Sequence, residues 1–359
     1  MEQRITVGVV YGGRSTEHEI SCVSAGAIMS HLDSDKYQVI PIGITKDGMW
    51  TVGESDHSRL RIADGVLPSV EKREELALSL DPQDNGLILN LDTGQPHARV
   101  DVLFPVLHGP YGEDGTIQGM LELVGLPYVG AGVLASACGM DKEFTKKLAA
   151  AEGLPITAEL ILRGAETDIP DAEKERLGLP VFVKPARGGS SIGVSRVTDW
   201  ADLPTAIASA RESDDKVIIE AEIIGDEVEV GVLEYPDGSL VASVPAKLNG
   251  TGDSEEGFYG FETKYLDTVV SPTIPAPYSD EVNDRIRELA VATFRALNCQ
   301  GLSRVDFFLT ADGPVLNEIN TMPGFTPISM YPQVFAASGV AYEELLDVLV
   351  TTALQSPRR

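Results

Sequence analysis

Two periods of hydrophobicity alternate along the first third of this chain. Residues 5–10 form a short apolar run of strand type, and residues 19–32 place apolar side chains at helical spacing. Residues 37–44 and the strongly apolar 100–107 read as further strands, 116–124 as a helix and 127–130 as a short strand. Strands that alternate with helices predict a parallel sheet covered by helices on its faces. The polar stretch 54–86 interrupts the pattern with turn residues and one expected helix. Ligands of open α/β sheets sit beyond the carboxyl ends of the strands, so the loops 11–15 and 108–115 are expected to help form a site.

Farther on the pattern changes. A helix at 141–152 stops at Gly153-Leu-Pro155. Strands are expected at 180–185 and 217–220, with the glycine-rich loop 187–193 between them. Antiparallel-looking strands at 226–233 and 240–246 precede a long polar segment, 247–267, and helices at 279–297 and 342–354 follow. Gly130-Ala-Gly132-Val-Leu-Ala135 matches a dinucleotide fingerprint, but the acid about 20 residues on should end a second strand. Glu152 is near that spacing yet lies in a helix, so the motif reads as a tight strand-to-helix turn. Boundaries near 140 and 222 divide the chain into 1–140, 141–222 and 223–359.

Between the last two helices lies the most informative pattern. Leu302, Arg304, Asp306 and Phe308 fall on one side of a strand, and Glu318 and Asn320 share a face of the next. The turn at 310–314 makes the two a hairpin that can bring Asp306 opposite the Glu318 and Asn320 pair. Two carboxylates and an amide on one face suit Mg²⁺, which takes few protein oxygens and leaves room for substrate phosphates. The competing reading is solvated charge beside ordinary turn chemistry. Val305, Phe307, Val315 and Ile319 alternate with the polar residues, so the polar face opposes a buried one and needs a cation or polar partners.

Composition narrows the function. With 359 residues the chain has room for two or three domains. Hydrophobic content of 43% and charged content of 23% are those of a globular protein. A net charge of −27 argues against broad contact with nucleic acid or acidic membranes, so any anionic ligand must be held by local lysine, arginine or backbone N–H groups. Three separated cysteines, Cys22, Cys138 and Cys299, argue against a disulfide framework or zinc site and fit a reducing cytoplasm. The N-terminus carries no signal-peptide pattern, and no run approaches the roughly 18 apolar residues of a membrane span.

Arg187-Gly-Gly-Ser-Ser-Ile-Gly193 frees several backbone N–H groups to face an anion, although it lacks the Gly-Lys-Ser/Thr ending of a P-loop. Lys184, on the apolar strand before it, needs an anionic partner, and a phosphate is a good one. Lys142 at a helix start is a second candidate, or simply a surface lysine. Glu220, Glu222 and Glu227 either accept hydrogen bonds from a nucleoside or are solvated edge charges.

Four ordered segments together resemble the D-alanine–D-alanine ligases of the ATP-grasp superfamily. They are Gly12-Gly13-Arg-Ser-Thr-Glu-His-Glu19-Ile-Ser21, His108-Gly109-Pro-Tyr-Gly112-Glu113-Asp114-Gly115-Thr-Ile-Gln118-Gly119, Lys184-Pro-Ala-Arg-Gly-Gly-Ser190-Ser191-Ile-Gly193, and Arg304-Val-Asp306 with Asn317-Glu318-Ile-Asn320-Thr-Met-Pro-Gly324. Residues 54–99 and 247–257 match poorly. The resemblance implies a mixed α/β (α+β) protein of three-domain ATP-grasp architecture. Its N-terminal domain would be an open parallel α/β sheet, with nucleotide bound between the central and C-terminal domains under a lid at 247–267.

It also implies the chemistry. ATP would phosphorylate the carboxylate of one D-alanine, and the amine of a second would displace phosphate through a tetrahedral intermediate. Lys142, Lys184, Ser190, Ser191, Glu220, Glu227 and Lys264 would hold ATP, and Asp306, Glu318 and Asn320 two Mg²⁺ (or Mn²⁺), with a monovalent cation allowed. Glu19 would anchor the first ammonium in a triad with Ser190 and Tyr265, and Arg304 and Gly324 would stabilise the oxyanion. His108, Ser329 and Lys264 would hold substrate, and Tyr259 favours D-alanine over D-lactate as the second one, with a D-alanine–D-lactate or D-alanine–D-serine ligase as the alternative. A cytoplasmic homodimer is the expected assembly, acting on small molecules without nucleic acid or membrane. Another ATP-grasp carboxylate–amine ligase, or a non-catalytic nucleotide-binding protein, is the more distant alternative.

Overall fold

A computed structural model describes residues 4–63, 65–189, 192–250 and 271–355. Strand β1 (Ile5–Gly12) is buried from Val7 onward, and β2 (Tyr37–Ile44) runs parallel beside it, Ile5 opposite Tyr37 and Gly12 opposite Ile44. Helix α1 (His18–His31) connects them, and β3 (Trp50–Val52) adds an antiparallel edge. A separate antiparallel sheet follows, made of β4 (Leu76–Leu78), β5 (Leu87–Asn90) and β6 (Gln95–Arg99). Then β7 (Val102–Val106) returns to the first sheet, whose order is β3-β2-β1-β7. Both faces of β1 and β7 are covered, which is why they read as unbroken apolar runs.

The helix expected within 54–86 is a correction. The described residues of that stretch contain two three-residue 3-10 turns, His57–Arg59 and Pro82–Asp84, and strand β4, but no α-helix. Leu76 and Leu78 are buried while Ala77 between them is half-buried. That period of two suits strand pairing and would scatter round a helix.

Helices α2 (Thr116–Val124), α3 (Val133–Met140) and α4 (Lys142–Ala151) come next. Gly130 has a φ of 102° and Gly132 caps α3, so the dinucleotide-like motif is the tight turn expected. A four-stranded antiparallel sheet then forms from β8 (Glu159–Leu162), β9 (Val181–Pro185), β10 (Ser195–Val197) and β11 (Val217–Ala221), in the order β10-β9-β11-β8. Helices α5 (Asp171–Leu177) and α6 (Leu203–Arg211) complete its core through Leu177, Leu203 and Ile207.

The last sheet contains β12 (Asp226–Glu234), β13 (Leu240–Ala242), β14 (Ala246–Asn249), β15 (Ser271–Thr273), β16 (Leu302–Thr310) and β17 (Gly313–Asn320). Its path is β15-β14-β12-β16-β17, with β13 beside β12. Val228, Val230, Val305, Phe307 and Ile319 pack against helix α7 (Asp280–Ala296) and also against Ala135 of α3 and Ala149 of α4. The expected boundary at 140 therefore falls between two helices that both pack on the C-terminal sheet. Helix α8 (Met330–Ala337) lies on the opposite face of β12, with Tyr331 and Phe335 against Gly231, and helix α9 (Tyr342–Gln355) packs on β7 and α1, so that Leu345 and Leu349 share a core with Val7, Val9 and Phe104 of the N-terminal sheet. The chain between β17 and α8 is thereby carried to the carboxyl ends of β1 and β7.

Candidate functional site

The polar face of the C-terminal sheet is built by register. Arg304 lies opposite Asn320 and Asp306 opposite Glu318, just before a bulge after Asp306. On the other edge of β16, Gly231 lies opposite Arg304 and Glu229 opposite Asp306. Glu229, Asp306 and Glu318 thus form a row across three strands, as the hairpin pattern anticipated for two of them. Arg304 donates from Nε to Asp306 Oδ1 at 2.8 Å and from Nη2 to Oδ2 at 2.7 Å, and its Nε lies 3.1 Å from Glu229 Oε2. Burial opposes its charge, but Asp306 and Glu229 outweigh burial and hold its pKa well above the ordinary value. Asn320 donates to Asp306 Oδ2 at 3.0 Å, and Glu318 Oε2 stands 4.0 Å from Lys142 Nζ. Among the described residues no three His, Cys, Asp or Glu side chains cluster as a metal site. Asp306, Glu318 and Asn320 nonetheless place two carboxylates and an amide on one face, a donor set that fits a hard divalent cation.

A cavity of about 340 Å³ lies over this face. Arg304, Glu318, Asn320 and Glu229 line one side, Lys142, Gly188 and Gly189 a second, and Glu17, His108 and Glu113 the N-terminal side. Gly324 and Ser329 line it from the chain leading into α8. Ser329 Oγ accepts from the Thr326 N–H at 3.0 Å and lies 2.8 Å from Thr326 Oγ1, so its hydroxyl is already oriented.

Glu19 is a correction. It forms an ion pair with Lys46 and does not line the cavity, whereas the buried Glu17 does. Glu17 is the N-cap residue before helix α1 whereas Glu19 lies in its first turn, so the two side chains leave the backbone in different directions. The Lys46 ion pair, acting against burial, holds the Glu19 carboxyl below the usual range. Gly109 shows how closely the two loops meet Glu17. Its φ is +73°, and a Cβ there would lie 2.9 Å from Ser15 Oγ and 3.2 Å from Glu17 Oε2.

His108 lines the cavity, as does Glu113, which stands in the second motif without an expected role. His108 Nδ1 lies 2.9 Å from the Met322 carbonyl and its Nε2 lies 3.4 Å from Ser24 Oγ. A carbonyl can only accept, so Nδ1 carries the proton and Nε2 accepts from the serine. Burial lowers the His108 pKa against the pull of Glu17, which keeps the ring neutral. Glu113 accepts from the Gly109 N–H at 2.8 Å and the Met322 N–H at 3.0 Å. Burial, aided by the charge of Glu17, pushes its pKa up to about 8. Together these side chains fasten the loop after β7 to the loop after β17.

The phosphate-binding candidates sit on two elements. Lys142 opens α4 and donates from Nζ to the Gly188 carbonyl at 2.8 Å, while the Asp141 side chain caps the helix by accepting from the Glu143 N–H. Lys184 on β9 and Glu220 on β11 are diagonal neighbours across paired strands and form an ion pair, so here Lys184 finds its anionic partner in protein. Lys146, also missed by sequence, contacts the other oxygen of Glu220. Burial lowers the pKa to about 8 for Lys184 and about 7 for Lys146. Glu227 shares a strand face with Glu229 but, like Lys184, Glu220 and Asp306, does not line the cavity. Glu222 pairs with Arg196 at 2.6 Å, an edge interaction. Ser190, Ser191, Tyr259, Lys264 and Tyr265, together with the expected lid 247–267 beyond residue 250, lie outside the described residues.

Residues 6–131 match the family described as D-ala D-ala ligase N-terminus, and residues 148–351 the one described as D-ala D-ala ligase C-terminus. The chain is 65% identical over 351 residues to a D-alanine–D-alanine ligase of Corynebacterium efficiens, covering 98% of this chain and 97% of that one. It is 60% identical over 359 residues to one from Mycobacterium sp. strain KMS, again covering 98% and 97%. Among solved structures it is similar to VanG D-Ala:D-Ser ligase from Enterococcus faecalis, with a TM-score of 0.85 and 34% identity over 98% of this chain and 100% of that one. It is also similar to D-alanine–D-alanine ligase from Bacillus anthracis complexed with ATP, with a TM-score of 0.73 and 26% identity over 98% of each.

Proposed function

Because the chain belongs to the D-alanine–D-alanine ligase family, we propose that it joins two molecules of D-alanine, converting ATP to ADP and phosphate. The observation that carries this reading is one cavity with Arg304, Glu318 and Asn320 on one side and the buried carboxylate of Glu17 on the other. Such a site can hold the ammonium of an amino acid and, across from it, receive a phosphate.

A carboxylate is a poor electrophile. Transfer of the terminal phosphoryl group of ATP to the first D-alanine makes an acyl phosphate. The amine of the second attacks its carbonyl and loses a proton, and the tetrahedral intermediate expels phosphate. Lys142 and Lys184 would hold ATP phosphates, with Glu220 and Glu227 toward adenine and ribose. Asp306, Glu318 and Asn320 are the residues that would hold Mg²⁺ or Mn²⁺, which when bound neutralises the phosphoryl oxygens. Glu17, in place of Glu19, would hold the first ammonium by a charge-assisted hydrogen bond. Arg304 and the Gly324 N–H would meet the oxyanion as it develops. Ser329, with Lys264, would hold the second carboxylate. A homodimer working in the cytoplasm on cell-wall precursor belongs to the same reading. Among the described residues no helix is long and apolar enough to cross a membrane.

D-serine as the second substrate is a further reading, supported by the likeness to a D-Ala:D-Ser ligase. The test offers purified protein ATP, Mg²⁺ and D-alanine, alone and mixed with D-serine and D-lactate, and identifies products by mass. D-alanyl-D-alanine with equimolar ADP is expected. A mixed product in excess would select the other substrate, and no ADP with D-alanine would overturn the proposal.

A further inference from the structure

Glu159 and Glu220 face each other on paired strands β8 and β11. Directly opposed like charges destabilise a sheet unless a cation joins them. Lys146 supplies it: the side chain is only 1% exposed, contacts Glu220 Oε1, and lies 3.9 Å from Glu159 Oε2. Glu220 in turn bridges two ammonium groups, with Lys146 at one oxygen and Lys184 at the other. With its four groups ionised the quartet carries two positive and two negative charges and is neutral as a unit. Lys142, one helical turn before Lys146 on α4, reaches instead to the glycine loop and toward Glu318.

This arrangement bears on how Lys184 reaches a nucleotide, and it rests on the reading above that Lys184 binds ATP. To meet a phosphate, the Lys184 ammonium must leave Glu220, whose side chain is 5% exposed. A carboxylate left alone at that depth is strongly unfavourable. We propose that Lys146 is a positioning residue for the ATP site: it stays on Glu220 and Glu159 when Lys184 transfers to phosphate, so neither buried carboxylate is left without a cation beside it. Lys146 itself does not touch ATP. Its distinct signature is an effect on nucleotide affinity alone, since no part of the quartet lines the cavity over Arg304.

The test compares wild type with Lys146→Met, which keeps length and volume, and Lys146→Arg, which keeps charge. Calorimetry with MgATP in the absence of amino acid gives Kd, and steady-state kinetics gives KM for ATP and for D-alanine. Lys146→Met is expected to weaken MgATP binding at least about tenfold, with KM for D-alanine within about twofold, and Lys146→Arg to recover most of the loss. Unchanged MgATP affinity in Lys146→Met would overturn the inference while leaving the proposed function standing. So would parallel rises in both KM values, or equal losses in the two variants, because these mark a packing role. Should Lys146→Met fail to fold, Lys146→Arg decides alone: MgATP affinity within about threefold of wild type supports the inference, and a larger loss overturns it. If wild type itself binds no MgATP, it is the proposed function that fails.

Discussion

Arg304 grips Asp306 through both carboxylate oxygens, two residues apart on the same face of β16. The fork fixes the guanidinium plane against the sheet, with Glu229 behind it at 3.1 Å. The residue proposed to stabilise the oxyanion is therefore oriented by a residue proposed to hold the cation. Arg304→Lys keeps the charge but loses the planar fork. It should lower kcat by about 10²-fold, the range for removing one oxyanion donor, while MgATP affinity stays within about threefold. Turnover near wild type would take Arg304 out of the reaction.

The two carboxylates at the start of α1 separate cleanly. Glu17→Gln should raise KM for the first D-alanine and lower kcat/KM by about 10²-fold, through loss of a charge-assisted contact in a desolvated site. Glu19→Gln breaks only the pair with the exposed Lys46, which is worth under about 1 kcal/mol. Its kinetics should stay within about twofold of wild type. If the two variants exchange these phenotypes, the ammonium site has been assigned to the wrong carboxylate.

Much of this site was readable in the chain because it lies on strands. Alternation alone paired Asp306 with Glu318, and the same rule would have found Glu229, two residues from Glu227 on one strand face. Lys146, four residues after Lys142, was within reach of helical spacing. Glu17 was not decided by pattern, because a motif with carboxylates at 17 and 19 needs the phase of α1, set where the helix packs on β1 and β7. Helix α8 went unseen because Pro332 looks like a breaker, although proline is tolerated in a first turn. The sheet of β4 to β6 went unseen because strands of three to five residues between turns are too short to show a period. What stayed hidden throughout is long-range: His108 and Glu113 matter because they meet Met322, over 200 residues away, and nothing local records that.

Glu113 holds two backbone N–H groups that favour its charged form, within a burial that opposes it, and burial prevails at a pKa of about 8. A carboxyl raised from its unfolded value near 4.5 weakens folding progressively as pH rises from there to about 8, since the unfolded chain ionises first. Glu113→Gln does not ionise. Its Tm relative to wild type should therefore rise between pH 5 and pH 8, by at least about 3 °C. A difference that does not change with pH would show that Glu113 titrates normally. The amide cannot accept from both N–H groups as a carboxylate does, so kcat should fall as the Met322 loop loosens.

The start of α4 carries the opposite case. Glu143 is buried, and Lys147 at 2.6 Å, Lys216 at 2.9 Å and Arg163 at 2.6 Å overcome that burial to hold its pKa near 2. Lys216 also pairs with Asp141, and the neighbouring Lys142 N–H binds the Ala186 carbonyl, so this cluster fastens the helix bearing Lys142 to the strand leading into the glycine loop. A carboxyl depressed from 4.5 to about 2 contributes its stability in full above pH 4.5 and loses it as pH falls toward 2. That contribution is at most about 3 kcal/mol. Glu143→Gln should thus melt several degrees below wild type at pH 7, with the gap closing on titration toward pH 3. At pH 7 it should also bind MgATP more weakly, because Lys142 and the glycine loop are no longer held together. A melting gap that persists unchanged at pH 3 would place the loss in packing rather than in the ion cluster.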